Sequence, residues 1–99
     1  MAMFMTRVEL HGAVHQDYVN LHTYMSQEGF TTTIIGNDGT FYHLPPAEYG
    51  LIATCTVVQA REKASRAAQK TLKSHAALTV EYSGAAWFGL SRVQQRAAR

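Results

Sequence analysis

The stretch VELHGAVHQDY, residues 8–18, places two carboxylates (Glu9, Asp17) and two imidazoles (His11, His15) just after a guanidinium, Arg7. A carboxylate can hold a divalent ion, and an imidazole that titrates near neutrality can carry a proton to or from a reacting group. Glu9 and His11 are two residues apart, so on a strand they share a face and can share a ligand. The spacing matches no zinc or calcium-loop signature. The same residues equally suit a polar strand face running into the start of a helix, so the elements that carry them decide between the two readings.

Other candidates carry less chemistry. Cys55, the lone cysteine, falls at a strand-to-helix junction where a helix N-terminus can lower a thiol pKa, but a lone cysteine also packs as a small hydrophobe. Tyr42, Tyr49, Trp87 and Phe88 can stack on bases or fill a core. No P-loop or dinucleotide glycine pattern occurs, and the signature of the RNA-recognition motif is absent.

The elements follow from periodicity. FMTRVELH alternates, with Phe4, Thr6, Val8 and Leu10 on one face and Met5, Arg7, Glu9 and His11 on the other, which is a half-buried strand ended by Gly12. QDYVNLHTYMSQEGF then switches to helical spacing through Tyr18, Leu21 and Met25, with Asp17 near its start and Gly29 as its stop. TTTIIGNDGTFYHL reads as a hairpin turning at Asn37-Asp38-Gly39. Pro45-Pro46 breaks the return strand into a bulge or short loop, and AEYGLIATC resumes it. A second helix, capped by Thr54 or Thr56, follows with an apolar stripe of Val57, Ala64, Ala68 and Leu72. AALTVEY is a further alternating strand, and AAWFGLSRV fits one more short strand.

This order is the split βαβ pattern of a ferredoxin-like sandwich: an α+β fold, βαββαβ, with two helices on one face of a four-stranded antiparallel sheet and room for an extra C-terminal strand. The first strand is central there, so Arg7, Glu9 and His11 are expected on the face away from the helices. That face is either solvated or covered by a partner.

Bulk properties set the outer limits. The 99 residues form a single domain, expected over 1–93, with a basic tail over 94–99. A chain this short has little stability margin, and a homodimer would add to it. The single cysteine permits no intramolecular disulfide and fits a reducing cytoplasm. No apolar run approaches the roughly 20 residues of a membrane span, and the N-terminus lacks the apolar core of a signal peptide. The net charge of +2 conceals an asymmetry, with Arg7 the only cation before residue 61 and eight cations from Arg61 onward. Arg61, Arg66, Lys70, Lys73 and Arg92 are the candidate contacts to a phosphate backbone, although a basic helix face is also common where it only meets water.

From Thr6 to Leu90 the chain resembles the GhoS family of type V antitoxins, which are similar in fold to the CRISPR-associated integrase subunit. The resemblance rests on DYVNLHTYMSQEGF as a first helix ending before a Phe, the polar hairpin TIIGNDGTFYHLP, and AEYGLIATC leading into the second helix. It implies an endoribonuclease antitoxin of a toxin–antitoxin system that cleaves the messenger RNA of its toxin. In the integrase-like relatives a carboxylate at the end of the first strand can hold a divalent metal. Glu9 is the nearest equivalent here, and the strand ends in His11 instead. A metal-free route needs only His-like groups and a cation, with Glu9, His11, Arg7 and His15 as the catalytic candidates. The competing expectation is a non-catalytic dimeric binding or regulatory module, or an antitoxin that binds a toxin protein.

Overall fold

A computed structural model describes residues 1–94; the expected basic tail, Gln94 apart, lies outside the described residues. The elements run β1 (Ala2–Leu10), α1 (His15–Gln27), β2 (Thr33–Ile35), β3 (Phe41–His43), β4 (Glu48–Ala53), α2 (Val57–Gln69) and β5 (His75–Tyr82). The α+β reading holds: two helices accompany antiparallel sheets. The main sheet has three strands, in the order β4-β1-β5, and β2 and β3 form a separate two-stranded ribbon. Just before β2, Thr31 bridges to Gly50 of β4, the two exchanging backbone bonds of 2.8 and 2.9 Å, and β2 packs beside β4.

Alternation along β1 decides what is buried. Phe4, Thr6, Val8 and Leu10 are sealed against Leu21 and Met25 of α1 and Ala60, Ala64, Ala67 and Ala68 of α2. Thr6 is the one buried polar residue among those described, and its hydroxyl meets that of Thr79 at 2.8 Å. No cost of an unpaired polar group arises there. The alanines lack bulk, so α2 can lie close to β1 and β5.

Both helices are bounded by local chemistry. Asp17 accepts the Val14 N–H at 2.9 Å and Thr56 accepts the Gln59 N–H at 3.1 Å, so each N-terminus has a side-chain partner. At the end of α1, Gly29 takes a φ of 94°, its N–H bonds Ser26 and the Phe30 N–H bonds Met25. This is a Schellman closure, and it turns Phe30 into the core.

Two expectations are corrected. Leu72 is not part of the α2 stripe: the helix ends at Gln69, and Leu72, at a φ of 64°, is 91 % exposed. Residues 85–93 form no strand. Only Arg92 bridges to Tyr42, flanked by the bonds His43 N–H to Ser91 O and Val93 N–H to Phe41 O. Gly89 has a φ of 82°, outside strand geometry, and Trp87 packs on the Tyr42 ring with centroids 5.5 Å apart.

Candidate functional site

The end of β1 is fixed from both sides. The Leu10 N–H donates to the Tyr18 hydroxyl of α1 at 3.0 Å, and the His11 N–H donates to the Ser74 carbonyl at 2.8 Å. Gly12, with a φ of 64°, then turns the chain away. Arg7 and Glu9 therefore project from the sheet face opposite the helices, and His11 follows directly at the strand end.

There the structure brings three side chains into a row. His11 Nδ1 lies 3.2 Å from the Ser74 hydroxyl, and His11 Nε2 lies 3.4 Å from a Glu9 carboxylate oxygen. A hydroxyl, an imidazole and a carboxylate in this order can pass a proton from the hydroxyl to the imidazole while the carboxylate steadies the cation that forms. Arg7 stands two residues back, 3.6 Å from Glu48 of β4. Ser74 and Glu48 were not anticipated from sequence. Register could have found both, since Ser74 immediately precedes β5 and Glu48 pairs with Arg7 across the sheet.

The other candidates are placed elsewhere. His15 begins α1, past Gly12, and no hydrogen bond among the described residues ties it to Glu9 or His11. Asp17 caps α1 and sits 3.8 Å from the Lys73 ammonium. Glu9 and His11 offer two donors to a metal, and no group of three His, Cys, Asp or Glu side chains forms among the described residues. The donor set therefore falls short of a protein-built metal cage at Glu9. Cys55 is half-buried against the core.

Several expected phosphate contacts turn toward α1. Arg66 makes two hydrogen bonds to Glu28, at 3.1 and 3.4 Å, and these hold the Glu28 carboxyl below its usual range. Lys73 reaches Asp17, and the Lys70 ammonium lies 5.8 Å from the centre of the Tyr24 ring. Arg61 is exposed without an ion pair among the described residues, and Arg92 sits in the bridge to Tyr42. Of the aromatics, Tyr49 is core, Tyr42 and Trp87 pack on each other, and Phe88 is fully exposed.

A second concave surface opens at the other end of the same sheet face. Met3, Ile52 and Tyr82 of the main sheet, Ile35 and Phe41 of the ribbon, and Trp87 line a groove of about 500 Å³. Nearby on that face, Ile52 is 61 % exposed, Leu78 67 % and Val80 47 %. No helix among the described residues is long and apolar enough to cross a membrane. No family model matches the chain, and neither a curated protein nor a solved structure matches it.

Proposed function

We propose that this chain is a cytoplasmic RNA-binding protein, an endoribonuclease antitoxin that cuts the messenger RNA of its toxin and acts as a homodimer. The observation that carries the reading is the row Ser74–His11–Glu9 beside Arg7. The ferredoxin-like topology belongs to the same proposal. It takes β2 as the fourth strand, joined to β4 through Thr31 and Gly50, giving the order β5-β1-β4-β2.

In this reading an RNA 2′-hydroxyl takes the place of the Ser74 hydroxyl at His11 Nδ1. His11 removes its proton, the O2′–P bond forms and the P–O5′ bond breaks. The leaving O5′ takes a proton from His15 or from solvent. Glu9, at Nε2, stabilises the imidazolium, and Arg7 faces the phosphate charge. The route runs through His11 and needs no metal.

The test is cleavage of a mixed-sequence RNA and of the toxin messenger, with magnesium and with chelator. The wild type should cut in both conditions. His11→Ala should lose a factor of about 10²–10⁴ in rate, the usual worth of a general base, and Glu9→Ala should lose activity in the same direction. Ser74→Ala should keep cutting, because the substrate supplies the hydroxyl; loss there would make Ser74 the nucleophile instead. Unchanged cleavage in both His11→Ala and Glu9→Ala sinks the assignment. RNA binding through the exposed cations should weaken steeply as salt rises.

A second reading has its own observation. The exposed Ile52, Leu78 and Val80 on the face away from the helices suit a non-catalytic binding module or an antitoxin that grips a toxin protein. Salt-insensitive association and an absence of cleavage in every lane would favour it.

A further inference from the structure

We infer that β5 is the seam of the homodimer: it pairs antiparallel with β5 of a second copy, with Leu78 facing Leu78 across the twofold axis and His75 facing Glu81 at each end. This rests on the proposal above only in taking the partner to be a second copy; RNA cleavage plays no part in it.

Hydrogen bonding fixes which groups are free. The His11 N–H bonds the Ser74 carbonyl, and Leu10 stands opposite His75 in the ladder. Even-numbered residues of β5 therefore turn their backbone groups toward β1, and the odd ones, His75, Ala77, Thr79 and Glu81, turn theirs outward. No backbone bond to these outward groups exists among the described residues. The opposite edge of the sheet differs, because Gly50 of β4 is capped by Thr31.

The free edge lacks the usual protections. Its eight residues pair with β1 without a bulge, and it carries no proline and no lysine. Proteins blunt edges that must stay single with just these devices. An edge left long, regular and nearly uncharged fits another strand.

Self-pairing narrows the register. Outward groups alternate, so residues of equal parity must face each other. With Leu78 on the axis, Val80 faces Ala76 and Thr79 faces Ala77. His75 then faces Glu81 of the partner subunit, and both side chains lie on the helix face, opposite Leu10 and Phe4 respectively. The strand's one imidazole and one carboxylate so meet, twice by symmetry. A shift one way puts Glu81 against Ala77. A shift the other way puts it against Lys73, which lies outside β5 and already serves Asp17. On the open face the seam covers the exposed Leu78 and Val80. On the helix face α2 packs on both β5 and β1, and its Ser65 hydroxyl lies 3.2 Å from His75 Nε2, which leaves His75 Nδ1 for the partner.

Leu78 on the axis is a non-hydrogen-bonded pair, with Cα atoms about 4.5 Å apart, within disulfide reach. Light scattering should give twice the 11.0 kDa chain mass. In a Cys55→Ser background, Leu78→Cys should cross-link under mild oxidation and Val80→Cys should not. Leu78→Lys sets like charges face to face at an exposed position and should yield a folded monomer by circular dichroism and mass. A monomeric wild type overturns the inference. So does a dimer that survives Leu78→Lys and fails to cross-link through Leu78→Cys. Cross-linking through Ala77→Cys or Thr79→Cys in place of Leu78→Cys overturns this register.

Discussion

The hydrogen bond between His22 Nδ1 and the Tyr49 hydroxyl, at 2.7 Å, ties α1 to β4 through two groups that titrate. Burial pushes the Tyr49 phenol well above its ordinary range, so it stays protonated and donates to a neutral His22. Burial first, and then the charge of His15, hold the His22 imidazole below its ordinary 6.5. As pH falls through 6.5 the unfolded chain takes up a proton at His22 while the folded chain does not, so stability declines until the lower folded pKa is reached. Thermal melts between about pH 7.5 and 5.5 should show this decline, and His22→Gln should flatten it. At this scale the sequence displayed Glu9 and His11 two apart on one strand, and the structure keeps them together. Ser74 was passed over because its nearness to His11 emerges only once the register between the first and last strands is assigned.

At the scale of elements, α2 shows how small residues set a distance. Ala60, Ala64, Ala67 and Ala68 are all fully buried, so the core-facing side of the helix is made of methyl groups, with the Ser65 hydroxyl reaching His75 at 3.2 Å beside them. Ala64→Leu should therefore overpack the interface and cost about 1–3 kcal/mol, read as a lower urea midpoint with an unchanged slope. Periodicity made β1, β5 and both helices legible, and Gly29 marked the stop of α1. Counting by 3.6 misplaced Leu72, because the count carries no sign that α2 ends at Gln69. The broken return strand at Pro45-Pro46 was also legible: Ala47, at a φ of 66°, turns there and its carbonyl still accepts the Val8 N–H at 3.0 Å.

Across the whole molecule, the acid-rich first half and base-rich second half are drawn together. Arg66 of α2 joins Glu28 at the end of α1, and Lys73, between α2 and β5, joins Asp17 at its start, so charge that reads as a phosphate footprint in one dimension also holds the second half of the chain to α1. Sequence alone cannot divide those roles, because the partners lie far apart along the chain. The β2–β3 ribbon raises a different matter. Among the described residues its backbone bridge to the main sheet is the Thr31–Gly50 pair, and its own ladder is three residue pairs long. Such a unit can open by itself while the sheet stays closed. Amides at Ile34 and Tyr42 should then exchange with deuterium far sooner than those at Phe4 and Val8 in native-state exchange monitored by NMR. Equal protection at all four would mean that the ribbon opens only when the whole chain does.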